Sequence, residues 1–318
     1  MRGQLRHCKN VIIYFSLQIV FFLFLLWIWQ RSSSSSTDKS IAITKGRNLM
    51  AMYNFNHGMV HLREPSLIDK ALDRLARIAR ARLVNGIRLN INDNNPFDDI
   101  IVSLPFTPPI ISHGYGDKAV LNPTIYSMPG DKKSCLVYGI GLYNETRFEI
   151  LMGQYCEVHA FDCTTSENDP AVLNQPFAFH QICIGTPTLI TEGTTQNILH
   201  NPHPGQPLIF KSYSDIMKDL NHTKVDLLKF DIEGSEWELL EHILQHNAPE
   251  NAPRQLVFEL HTQGAVPAWV PPQTIVGKNR IAVNNLFLRL HDFGYRVLHK
   301  QVNPGDRFCA DFTLLLSR

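Results

Sequence analysis

The run Asp231-Ile232-Glu233-Gly234-Ser235-Glu236 gathers three carboxylates around one glycine. Carboxylates this close raise one another's proton affinity, so such a run can take a proton, hold a cation or accept hydroxyls. Asp231 is expected to take a hydroxyl proton or hold a substrate; its plainer role is a helix N-terminal carboxylate favoured by the dipole. Glu233 either orients the loop or touches a ligand. Gly234 serves backbone geometry, and Glu236 is first of all a dipole partner. Lys229, inside the preceding apolar run, reads equally as a buried ion pair or a substrate contact. A second group is Glu259 and His261, two residues apart on a strand and so on one face. A histidine with an ordinary pKa near 6.5 suits a general base, while a buried, hydrogen-bonded histidine is the commoner outcome. Asp231, Glu259 and His261 together have ligand types that a divalent metal accepts, but no resident metal is expected.

The third group is Gly139-Ile140-Gly141 followed by Asp162, 23 residues beyond Gly139. Two glycines let a backbone turn tightly and leave room for a ligand against it. A strand-terminal acid near this spacing accepts hydrogen bonds from ribose hydroxyls; a loop cap is its other role. A dinucleotide site wants a third glycine where this chain has Asn144, so a nucleoside cofactor without pyrophosphate fits better.

The elements that must position these groups can be read from their patterns. Val225 to Phe230 is apolar enough to be a strand buried on both faces. Trp237, Leu240 and Leu244 then fall on one helical stripe. Strand, acidic turn and helix form the active edge of an open α/β sheet. Further strands are expected at 135–140, 157–161, 177–184, 255–261, 295–299 and 309–316, and helices near 143–154, 212–220 and 281–293.

The wording Leu228-Lys229-Phe230-Asp231-Ile232-Glu233-Gly234-Ser235-Glu236 resembles the hallmark of FkbM-type methyltransferases, which use S-adenosylmethionine. The following Trp237-Glu238-Leu239-Leu240 resembles the animal branch of that family. Over about residues 130–318 the resemblance implies a class I methyltransferase fold. That is a Rossmann-like, mostly parallel seven-stranded sheet with one antiparallel strand. It implies Gly139, Gly141, Asp162 and Asp231 around the cofactor, and Asp231, Glu233 and His261 at the transfer site. The implied acceptor is the oxygen of a sugar, glycan or small metabolite. Two other readings stay open: a catalytically silent luminal binding protein with this fold, and a Golgi-type glycosyltransferase holding a metal on Asp231 and Glu233.

Of the 318 residues, 44% are apolar and 19% charged, which supports a substantial core. Lys and Arg number 30 against 29 Asp and Glu, so no basic excess points to nucleic acid. Residues 11–29 are apolar except for Ser16 and Gln18; as a helix they reach roughly 28 Å, close to a hydrocarbon core. They are expected to be an uncleaved transmembrane signal anchor, contacting lipid, after a basic tail at 1–10. The charge bias across it is nearly even. A short tail before a large domain still suggests a single-pass protein with its domain in the Golgi or ER lumen. Residues 30–62 read as a flexible stem, 63–134 as an accessory helix and irregular lid region, and 135–318 as the methyltransferase domain. The accessory helix, capped by Ser66, is expected to pack outside the domain. The six cysteines contain no Cys-x-x-Cys pair, against a structural zinc site. Cys156 and Cys163 flank one strand and stand too far apart to pair. Cys135 with Cys156, and Cys163 with Cys183, lie at matching strand ends and can. Of two sequons, Asn144 would open the cofactor-side helix and is expected to stay unmodified; Asn221, in a turn, is the better acceptor.

Overall fold

The computed structural model describes residues 67–89, 95–102, 110–111, 118–121, 135–142, 145–185, 208–265 and 272–317. The apolar run 11–29, the stem, Asn144 and much of the lid region lie outside them. Among the described residues no helix is long and apolar enough to cross a membrane.

The chain opens with α1 (Leu67–Leu89), then the short antiparallel pair β1 (Ile110–Ile111) and β2 (Val120–Leu121). Next come β3 (Leu136–Ile140), α2 (Arg147–Met152), β4 (Glu157–Phe161) and β5 (Ala178–His180). After them follow β6 (Cys183–Ile184), β7 (Phe210–Lys211), α3 (Tyr213–Asp219), β8 (Leu227–Phe230) and α4 (Glu236–His246). The remainder is β9 (Gln255–His261), α5 (Pro272–Ile275), α6 (Arg280–Phe293), β10 (Tyr295–Val302) and β11 (Cys309–Leu316).

Seven strands form one sheet in the order β10-β11-β9-β8-β3-β4-β5. The β3, β4, β5, β8 and β9 ladders are parallel, and β11 runs antiparallel to both its neighbours. This is the Rossmann-like layout expected. The central strands β8 and β9 are buried at every position, because helices cover both faces of a parallel sheet. Phe230 and Phe258 stack at 5.0 Å across β8 and β9, and Phe312 packs 5.6 Å from Phe258.

α1 lies against α6: Ala79 and Leu83 are buried, Arg80 pairs with Asp292 at 2.8 Å, and His291 reaches the Ala76 carbonyl at 3.1 Å. It is an outer helix, as its amphipathic pattern predicts. The lid region is not wholly irregular, however. Besides β1 and β2, its Phe97, Ile100 and Val120 are buried in the core.

Two elements differ most from expectation. The apolar run 177–184 is not one strand. Ile182 N donates back to the His180 carbonyl at 2.9 Å, which turns the chain off the sheet, and Cys183 then pairs with β7 instead. The helix expected at 143–154 is shorter: α2 covers Arg147 to Met152 and ends at Gly153. Both possible disulfides, Cys135–Cys156 and Cys163–Cys183, are present, with Cα separations of 4.9 and 4.8 Å. The first ties the starts of the neighbouring strands β3 and β4; the second ties the end of β4 to β6, outside the main sheet. Cys309 is free and buried.

Candidate active site

β3 ends in a turn that brings three sheet strands together at their carboxyl ends. Gly141 adopts φ +75°, a left-handed conformation natural to glycine. Its amide donates to the Phe161 carbonyl of β4 at 2.9 Å, while Asp231 N donates to the Ile140 carbonyl at 3.1 Å. A Cβ on Gly141 would stand 1.8 Å from the Asp231 carbonyl oxygen, and one on Gly139 would stand 2.3 Å from Glu149 Oε1. The side-chain direction at both glycines is therefore filled by the protein's own atoms, so neither position admits a Cβ without displacing them. Lys229 donates to the Gly141 carbonyl at 2.6 Å and lies 3.7 Å from Glu149 Oε1, fixing the turn from beneath. Glu149 is fully buried and its proton affinity is raised by that burial.

Asp162, at the end of β4, is drawn into the same turn. Its Oδ2 accepts from Leu142 N at 2.7 Å, and its Oδ1 accepts from Thr164 N, Thr164 Oγ1 and Thr165 N at 2.7, 2.6 and 3.2 Å. In this structure the carboxylate holds the β3 and β4 loops together. Asp162, Gly141 and Asp231 thus converge above three adjacent strands, at the edge where open α/β sheets bind ligands.

The acidic corner follows β8. Glu233 has φ +53° and Gly234 φ +99°, two successive left-handed residues of which the first is strained for a side chain with a Cβ. Glu236 stabilises the bend by accepting from Ile232 N at 2.8 Å and Gly234 N at 2.9 Å. A Cβ on Gly234 would meet Thr274 Oγ1 at 2.1 Å, so α5 seals the bend from outside.

His261 joins this corner from β9. Its Nδ1 is 3.2 Å from Glu236 Oε1 and its Nε2 is 3.2 Å from Glu233 Oε2. Burial would lower its pKa, yet Glu236, Cys309 and Asp231 raise it well above the ordinary value. Hydrogen-bonded to Glu236 and raised in this way, it favours the imidazolium form, which has no free ring lone pair to act as a general base.

Lys118, from just before β2, supplies the second cation. Its Nζ lies 3.1 Å from Asp231 Oδ2 and 3.8 Å from Glu259 Oε2, and it hydrogen-bonds Asp311. Burial opposes its charge, but the three carboxylates keep it firmly protonated. Burial likewise favours a proton on Asp231, and Lys118, His261 and Lys229 override that, holding it well below the usual carboxylate range. Burial pushes Glu233 up to about 8, with Asp231 and Glu236 adding to the shift and His261 opposing it. Burial and the Asp231 charge carry Glu259 to about 7.

The corner can therefore do two kinds of chemistry. Asp231 is a fixed anion with one buried oxygen, Oδ1, that has no hydrogen-bond partner among the described residues. It suits holding a cation or a hydroxyl better than taking a proton. Glu233 and Glu259 titrate near neutral pH, where proton transfer is most efficient. The Lys118 ammonium already occupies the space between Asp231 and Glu259 that a shared divalent ion would need.

Sequence reasoning found Asp231, Glu233, Glu259 and His261 but missed Lys118, Asp311 and Glu149. A lone Asp311 in the apolar stretch of β11 was a usable signal, since unpaired charges are seldom buried. Lys118 and Glu149 had none, because their neighbours in sequence are unremarkable.

Over 137 residues, 41% of this chain, it is 31% identical to the probable methyltransferase-like protein 24 of Rattus norvegicus, and the match spans 33% of that relative. The Homo sapiens counterpart is 30% identical over 136 residues, with the same coverage. The chain thus matches about a third of these relatives' length. Among solved structures, the 16S rRNA (adenine(1408)-N(1))-methyltransferase of Catenulisporales acidiphilia aligns over 66% of this chain and 97% of its own. Its identity is 11% and its TM-score 0.33. The magnesium protoporphyrin IX methyltransferase of Synechocystis PCC 6803 aligns over 90% and 100%, at 11% identity and a TM-score of 0.30. Likenesses of this grade say nothing about substrate. The model of the family described as a methyltransferase domain matches residues 103–315, from the lid region to the last strand, and with more than half its length inside that match the chain belongs to the methyltransferase domain family.

Proposed function

We propose that the chain is an S-adenosylmethionine-dependent methyltransferase of FkbM type, acting on an oxygen of a sugar, glycan or small metabolite. The observation that carries the reading is the turn at Gly141, held between Asp162 and Asp231, with Asp231 Oδ1 buried and without a hydrogen-bond partner among the described residues. An anion in that position fits a ligand that brings positive charge or hydroxyl donors. S-adenosylmethionine, when bound, supplies a methyl group already activated on a sulfonium. The chain's own residues then have the work of alignment and proton handling. Asp231 holds charge at the pocket wall, the Lys118 and His261 cations keep it ionised, and Glu233 or Glu259 receives the acceptor's proton.

The placement belongs to the same proposal. Residues 11–29 anchor the chain in the bilayer, with the domain in the lumen of the Golgi or ER. Two disulfides suit an oxidising compartment. Asn221, exposed in a left-handed turn at φ +56°, suits a glycan.

A second reading has its own support. Lys118 already neutralises Asp231, and protein atoms fill the spaces beside Gly139 and Gly141; both suit a binding protein that keeps the fold and has lost the activity. Isothermal titration of the full-length chain separates the two. Heat with S-adenosylmethionine and S-adenosylhomocysteine, lost in Asp231→Asn, is expected of the enzyme. No heat with either ligand from the folded wild-type chain would establish the silent reading.

A further inference from the structure

We propose that Glu157, His159 and His222 form a transition-metal site, best suited to zinc, on the amino-terminal rim of the sheet, opposite the acidic corner. One ligand atom from each lies within 4.8 Å of the other two. Glu157 opens β4 and His159 follows two residues later, so both side chains project from one face of the strand. His222 arrives from the turn after α3, where Asn221 takes the left-handed conformation and the chain reverses toward β8.

Around a tetrahedral zinc with bonds of about 2.1 Å, neighbouring ligand atoms stand roughly 3.4 Å apart. His159 Nε2 and Glu157 Oε1 are 3.3 Å apart. Metal-bound histidines are commonly held by a partner on the second ring nitrogen, which fixes tautomer and orientation. His159 Nδ1 lies 2.9 Å from His180 Nε2, and His222 Nδ1 lies 2.6 Å from the Tyr138 hydroxyl. Two imidazoles and one carboxylate select zinc, cobalt or nickel over magnesium or calcium. The Glu157 side chain is 48% exposed, which gives an ion its entry and leaves a fourth position for water. Bound there, the ion clips β4 to the connection that feeds β8.

The test uses the full-length chain in detergent, stripped with a chelator and titrated with Co2+ for its visible absorption and with Zn2+ against a chromophoric competitor. One equivalent is expected. Tyr138→Phe should weaken binding about 10–100-fold, as loss of a supporting partner does, and His222→Ala by more than that. Zinc should raise the melting temperature of the wild-type chain and not of His222→Ala. Glu157→Gln, at an exposed position, decides the matter if His222→Ala does not fold. A folded wild-type chain that takes up no equivalent would overturn the proposal. So would an equivalent that survives His222→Ala or Glu157→Gln at unchanged affinity, or one that follows Asp231→Asn instead.

Discussion

Lys118 governs the electrostatics of the acidic corner, since among the described residues it alone pairs with Asp231, Glu259 and Asp311 together. Removing one member of a buried ion network strands the rest, at a cost of about 3–5 kcal/mol. Lys118→Met is therefore expected to lower stability by about that much in urea-induced unfolding. A second expectation concerns pH. A carboxyl that binds its proton more tightly when folded stabilises the fold below its unfolded pKa, and loses that contribution as pH rises through the folded pKa. For Glu233 the window runs from the ordinary 4.5 to about 8. His261, also raised, acts in the same direction above its ordinary 6.5. The melting temperature should accordingly fall across that window. Glu233→Gln, neutral at every pH, should fall less; an identical slope would mean that Glu233 ionises normally. Asp231 and Glu233 were legible because the local wording is distinctive. Lys118 was not, because its partners come from three strands far away in sequence.

The turn after β3 is the element on which the candidate pocket rests. Gly141→Ala puts a side chain at φ +75°, costing about 1–2 kcal/mol in backbone strain alone. It also drives a methyl into the Asp231 carbonyl, so the ends of β3 and β8 must part. The expected result is a lower denaturant midpoint together with loss of cofactor heat in titration. Retention of both would mean that the turn relaxes without disturbing Asp231. Periodicity located the seven strands of the main sheet, because burial on both faces leaves a continuous apolar run, and missed the two-residue strands β1, β2 and β7 and the single-turn α5. It failed at 177–184, where an apolar run divides between two sheets. A hydrogen bond from Ile182 to His180 and a disulfide at Cys183 decide that break, and neither leaves a mark on hydrophobicity.

For the chain as a whole, the proposed topology has a direct test. Protease added to intact microsomes should spare the domain and cleave it once detergent is present. Endoglycosidase should sharpen its mobility on gels, an effect that Asn221→Gln abolishes. Digestion of the domain in intact vesicles would place it in the cytosol and leave the enzymology standing. The linear chain was enough to establish an α/β sheet, the seven strands that build it, which cysteines could pair and the acidic motif. Each of these is written in local composition, in period, or in the fixed spacing of neighbouring strands. Only the folded molecule decided what the motif does. It made His261 a clasped cation, turned Asp162 toward the loop beside it, filled the glycine spaces and brought Lys118 to Asp231. Those outcomes depend on which side chains meet across the sheet edge, and on how burial shifts their charges. A sequence specifies such distances only by folding.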